Sequence, residues 1–191
     1  GLHATPKPMF RRLKEGEHRL TWFSKDQVEK LAAASRNVFS REDLADAILF
    51  SAYTGIRQGE LLKLKGQDID LEHNCIWIGG KPGQVTKGKN VRTVPIADRI
   101  KDICNARLSS KQAFEFDNKD QLYSSFKKVR KYCDIPEDHV WHSLRHSFGT
   151  WLGEVTHPKQ IQALMGHADI TTTLRYIKPS DDANRAAISA L

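Results

Sequence analysis

Between residues 69 and 96 the chain leaves helical patterning for strand-like alternation, and this short island limits which fold it can adopt. IDLEHNCIWIGG has the alternation and β-branched content of two strands around a turn at His73-Asn74. VTKGKNVRTVPI reads as a tight basic turn, Lys87-Gly88-Lys89-Asn90, leading into a strand that ends at Pro95. On either side the apolar residues recur at helical spacing. The expected fold is therefore mainly α with a small antiparallel β-sheet, an α+β domain.

Ser24 is placed to cap a helix through SKDQVEKLAAAS, whose apolar face holds Val28, Leu31 and the alanines. Ser40 and Asp43 have the spacing of a capping box ahead of the strongly apolar LADAILFSAY, which Thr54-Gly55 can stop. A short helix, RQGELLKLK, begins near Arg57. Beyond Asp98 the pattern predicts helices over 98–108, 118–133, 142–155, 158–165, 169–177 and 181–190, with Pro158 in a first helical turn.

The 191 residues suffice for one sizeable domain. Residues 1–19 combine two prolines with a basic cluster and no apolar period, as a basic linker or arm would. Residues 20–180 form the expected compact domain. The closing helix, 181–191, carries a small stripe of Ala183, Ala187, Ile188 and Leu191, too short to stand alone, so it has to dock. Gly1 in place of Met suggests a fragment. No stretch approaches the roughly 18 apolar residues of a membrane span, and the start lacks the pattern of a secretory signal.

A net charge of +7 favours a polyanionic partner, most simply nucleic acid. Cys75, Cys104 and Cys133 are scattered and odd in number, which argues against a disulfide framework or zinc knuckle and for thiols in a reducing cytoplasm.

In HSLRHSFGTWL, His142, Arg145 and His146 lie at i, i+3 and i+4 on one helix face, with Leu144, Phe148 and Leu152 on another. Arg57 and Glu60 stand in the same i, i+3 relation, so the carboxylate can orient the guanidinium. Two arginine forks can neutralise the extra charge of a pentacoordinate phosphorane. Tyr176 follows in GHADITTTLRY, nine residues after His167. A phenol ionises near ~10, so as a nucleophile it needs a cationic field and a proton acceptor. Lys87, on the turn between two strands, is the candidate donor for a leaving 5′-oxygen; Lys89 takes that place if the turn's register differs.

TGIRQGEL, the TKGKNVRTVP turn, HSLRH, LMGHADITTTLRY and the closing helix, in this order and spacing, resemble the catalytic domain of the tyrosine recombinases, the phage integrase family. The resemblance implies that Arg57 and Arg145 clamp the phosphate, that Lys87 is the general acid, and that His142 handles a proton. It puts His167 at the second-histidine position and makes Tyr176 the nucleophile. It implies a 3′-phosphotyrosyl link to double-stranded DNA, later reversed by another strand's 5′-hydroxyl, with no cofactor, neither ATP nor a metal. It also implies a tetramer on DNA, in which the closing helix docks on a neighbouring protomer, and a cytoplasmic setting in a bacterium or phage-infected host. The family's upstream DNA-gripping module has no counterpart in this stretch.

Other readings stay open at this stage. His146 is either structural or a second phosphate contact. His142 and His146 can form part of a zinc site, but HExxH lacks its glutamate here and no third ligand is evident. Gly83 to Lys89 fits GxxxxGK, yet Asn90 replaces the Ser/Thr and a strand follows instead of a helix, so it is a decoy. Trp141 either packs or stacks on a base. Lys89 and Arg92, with the helix face of Lys127, Lys128, Arg130 and Lys131, are expected to contact DNA. A type IB-like topoisomerase and a non-catalytic DNA-binding module of the same fold are the rival functions.

Overall fold

The computed structural model describes residues 20–81 and 91–177. The arm expected at 1–19, Lys87, Lys89 and the closing helix at 181–191 lie outside the described residues.

Helix α1 (Lys25–Asn37) opens as expected: Ser24 accepts from the backbone N–H of Gln27 while the Gln27 side chain accepts from the backbone N–H of Ser24. Its buried face is Val28, Leu31, Ala32, Ala34 and Ser35. Helix α2 (Glu42–Thr54) is apolar nearly all round and is accordingly buried from Leu44 to Ala52, the central helix of the domain. The capping box expected from Ser40 and Asp43 is not formed. Ser40 sits at φ +51°, Arg41 occupies the cap position, and the Arg41 guanidinium instead grips the Asp43 carboxylate at 2.6 and 2.8 Å.

At its other end α2 stops at Gly55, whose φ of +63° a side chain would resist. A Cβ there would also lie 2.4 Å from Phe148. This turn delivers Arg57 directly ahead of α3 (Gln58–Leu61). Strands β1 (Ile69–Asp70), β2 (Cys75–Ile78) and β3 (Arg92–Pro95) form an antiparallel sheet in that order, with Ile76 opposite Val94 and Ile78 opposite Arg92.

The second half is α4 (Lys101–Asn105), α5 (Lys119–Tyr132), α6 (His142–Gly153), α7 (Pro158–Met165) and α8 (Ile170–Leu174). The stretches expected as helix over 98–108 and 169–177 are therefore shorter than their patterns suggested. Asn118 caps α5, and Pro158 is in the first turn of α7. α2 lies between α1 and α6, while α7 packs on α6, α8 and β3, so the sheet reaches the same cluster as the late helices. Phe23, Phe50, Phe126, Leu31 and Ile48 fill the core. Trp141 belongs to it, 4% exposed and edge-on to Phe126 at 5.3 Å, which is the packing role of its two readings.

Candidate active site

Three consecutive carbonyls end α7, and each accepts from an arginine of a different element. Arg92 Nε on β3 donates to Leu164 O at 3.0 Å, and Arg145 on α6 to Met165 O at 2.5 Å. Arg57, before α3, reaches Gly166 O at 3.5 Å. The last carbonyls of a helix lack intrahelical partners and carry its negative end, so they suit cations. Gly166 closes α7 at φ +65° and leaves room for Arg92, whose Cδ would be 3.0 Å from a Cβ there.

Glu60 ties the guanidiniums together. Its carboxylate takes both terminal nitrogens of Arg92, at 3.0 and 2.8 Å, and Arg57 Nη1 at 3.1 Å, and accepts from the Arg57 backbone N–H at 2.9 Å. The i, i+3 pairing with Arg57 is the one the spacing suggests. Burial by itself would raise the Glu60 carboxyl; the Arg92 hydrogen bonds and charge, then the Arg57 backbone and charge, outweigh it and hold the pKa at about 2. Arg145 is 3% exposed and also donates to Gly55 O, the carbonyl of the glycine that ends α2. Burial and then the charges of Arg57 and Arg92 lower its pKa to about 10, so it stays a cation at neutral pH.

Tyr176 comes to this cluster from just after α8. Its hydroxyl is 2.8 Å from His146 Nδ1, and its ring lies parallel to that of His167, 6.1 Å between centroids. The segment fits against two glycines one turn apart on α6. A Cβ on Gly149 would sit 2.9 Å from the Tyr176 ring, and one on Gly153 would sit 2.1 Å from the Tyr176 carbonyl oxygen. Tyr176 is 5% exposed; burial raises its pKa against the pull of Arg145 and Arg175, so the phenol is protonated at neutral pH.

The histidines are neutral there. Burial first, then the surrounding positive charges, lowers His146 and His167 to about 4 each. His142 moves in the same direction for the same reasons, Arg145 being the first cation to act. His142 stands edge-on to His146, 4.7 Å between ring centroids. His167 Nδ1 is taken by the buried Thr173 hydroxyl at 2.8 Å, and its backbone is tied both ways to Gln162. Thus Arg57, Glu60, His142, Arg145, His146, His167 and Tyr176 converge on one site, with Arg57 and His142 at its open side.

Two expectations about DNA contact need correction. Arg92 is 7% exposed, because on β3 it shares the inward parity of Val94, and Glu60 and Leu164 occupy its fork. Arg130 is 6% exposed and donates to the carbonyls of Glu137 and His139, holding the loop before α6. Both brace the interior. Lys127, Lys128 and Lys131 are exposed on α5. Sequence reasoning passed over Arg175, whose position beside Tyr176 was the available signal, and Thr173. It also missed the cleft of 810 Å³ beside Arg57, whose wall includes the exposed Lys63, Lys65 and Lys119.

Comparison with known proteins adds four findings. The family model described as "Phage integrase family" matches residues 21–183. The tyrosine recombinase XerA of Saccharolobus solfataricus is 34% identical over 154 residues, covering 78% of this chain and 49% of the relative. Among solved structures, the catalytic domain of bacteriophage HP1 integrase aligns with TM-score 0.69 at 24% identity over 90% of this chain and 96% of that one. The Tn1549 transposon integrase in complex with transposon right end DNA aligns with TM-score 0.74 at 22% identity, over 93% of this chain and 68% of that one. At these identities the two structural likenesses concern the fold. The chain spans about half to three-fifths of the length of the curated relatives it matches.

Proposed function

This chain belongs to the phage integrase family, the tyrosine recombinases, and from that premise we propose that it is the catalytic domain of a site-specific DNA recombinase. Arg57 and Arg145 would hold the scissile phosphate of double-stranded DNA, with Glu60 and the α7 carbonyls keeping the forks in place before substrate arrives. Tyr176 attacks phosphorus and forms a 3′-phosphotyrosyl link. The released 5′-oxygen takes a proton from Lys87, a role that rests on the resemblance alone. A 5′-hydroxyl from another strand reverses the step. Lys63, Lys65 and Lys119 in the cleft beside Arg57, with exposed Lys127, Lys128 and Lys131 on α5, supply charge for the flanking phosphates.

The observation that carries this reading is the meeting of the Tyr176 phenol with histidines and arginines drawn from elements far apart in the chain. A buried, protonated phenol among neutral histidines and fixed cations is a nucleophile with its proton acceptor in place. Similarity to a tyrosine recombinase, XerA of Saccharolobus solfataricus, favours strand exchange over supercoil relaxation alone. Assembly as a tetramer on DNA, docking of the 181–191 helix on a neighbour and a cytoplasmic setting are parts of the same proposal. Among the described residues no helix is long and apolar enough to cross a membrane.

A nicked suicide duplex, selected from a randomised pool for covalent capture, tests the reading. Wild-type chain is expected to form a denaturation-resistant adduct, and Tyr176→Phe to bind the same DNA with no adduct. An adduct persisting in Tyr176→Phe removes the nucleophile from this account.

A further inference from the structure

We propose that His146, rather than His142, takes the proton from Tyr176 during strand cleavage and returns it during rejoining; the inference rests on the recombinase reading above. Among the described residues, the phenol makes its hydrogen bond to His146 Nδ1, at 2.8 Å. The other two histidines are differently engaged. His167 gives Nδ1 to the Thr173 hydroxyl and lies parallel to the phenol ring at 6.1 Å. His142 contacts the ring of His146, edge-on at 4.7 Å, and is one residue further from the tyrosine in a chain of three groups.

His146 is on the well-packed middle of α6, next to Arg145, so its ring is held while the segment after α8 brings the phenol to it. The groups facing it are His142 and Arg145 from its own helix, His167 from the end of α7, and Arg175 and Tyr176 from beyond α8. In the DNA-free protein these surroundings keep it neutral, as a proton acceptor must be. With its proton on Nε2, the tautomer the proposal requires, a neutral imidazole in this pose directs the Nδ1 lone pair at the phenol.

An imidazole this weakly basic leaves the phenol protonated in the DNA-free protein. A phosphodiester anion seated at Arg145 offsets part of the positive field acting on His146. The imidazole then becomes more basic when the proton has to leave. In the step itself the Tyr176 O–H bond breaks and its proton bonds to Nδ1. The phenolic oxygen forms the new bond to phosphorus while the P–O5′ bond breaks. The 5′-oxygen leaves with that electron pair and is protonated by the separate acid. Rejoining runs the same transfers backwards, the imidazolium returning its proton to the phenolic oxygen.

Single-turnover cleavage of the selected suicide duplex by wild type and His146→Gln is the test. Glutamine keeps a polar side chain against the phenol but takes up no proton. The expected result is cleavage slower by about 100-fold or more, with DNA affinity within a few-fold of wild type. The acidic limb of the wild-type pH–rate profile should be missing from His146→Gln. A duplex with a 5′-bridging sulfur at the scissile phosphate separates base from acid, because a thiolate leaves without being protonated. That duplex is expected to restore Lys87→Ala and to leave His146→Gln slow. Wild-type cleavage rate in His146→Gln, an acidic limb that survives the substitution, or rescue of His146→Gln by the sulfur duplex each overturns the proposal. If wild-type chain itself forms no adduct from the pool, it is the recombinase reading that fails.

Discussion

The two halves of the site are built from different materials. On one side Arg57, Arg92 and Arg145 are bound to Glu60 and to the carbonyls ending α7. These are charge-assisted hydrogen bonds from several elements at once, so the geometry is determined many times over. On the other side the Tyr176 side chain is held by one hydrogen bond with His146 and by its fit against Gly149 and Gly153. In the proposed function the first half is the phosphate clamp, with its guanidiniums fixed before substrate arrives. In the proposed mechanism the second holds the nucleophile, protonated among neutral histidines, and becomes competent when a phosphate changes the local field. On that proposal binding is prepared in advance and chemistry is conditional.

The largest effect expected from breaking this contrast is Glu60→Ala. It leaves Arg92, 7% exposed, without its carboxylate and loosens Arg57. Removing one partner of a buried pair should cost about 3 kcal/mol or more of stability, read as a lowered denaturant midpoint, together with weaker DNA binding. A variant as stable as wild type would show that the carboxylate is not what holds the clamp.

Gly153→Ala should do the opposite: spare the clamp and disturb the tyrosine. A Cβ 2.1 Å from the Tyr176 carbonyl forces that backbone away from α6. A shift near 1 Å at a reacting group can cost about 100-fold in rate. Adduct formation should fall on that scale while DNA affinity stays near wild type, as gel shift and single-turnover cleavage would reveal. Equal loss of both would mean that the two halves are one mechanical unit.

The smallest effect separates the halves by pH. His146 and His167 have folded pKa values of about 4, below the 6.5 of an unperturbed imidazole, so the unfolded chain binds more protons between these limits. Their contribution to stability is present above 6.5 and is lost as pH falls toward 4. Glu60, at about 2 against 4.5, gives up its contribution only as pH falls below 4.5. Melting temperature should therefore decline in two stages on acidification, and replacing both histidines with glutamine should shrink the first, leaving the share of His142. A single decline confined below pH 4.5 would count against the buried neutral histidines.

Much of this architecture was legible in the residues. The Ser24 cap, Gly55 as the stop for α2, Pro158 opening α7 and the strands at Ile69–Asp70, Cys75–Ile78 and Arg92–Pro95 are local signals, and local signals act through the backbone of a few neighbours. Ser40 misled because its competitor, the Arg41–Asp43 pair, offers the helix start an alternative that a serine-based pattern does not register. Arg92 looked like a DNA contact because a basic turn precedes it. The better signal was parity: Val94 and Ile96 are core residues, and Arg92 is on their side of the strand. The contact of His146 with Tyr176 was not legible, because helical spacing places His146 beside Arg145 without saying what faces it.

The sequence by itself determined the elements, their order and the set of groups with the chemistry to cleave a phosphodiester, since helix and strand periods and side-chain types are properties of the chain. Only the tertiary structure decided which histidine meets the phenol, which arginines face inward and which charges stay buried. Those choices depend on residues from distant elements packing against the end of one helix. Desolvation and field strength exist only once that packing has excluded water.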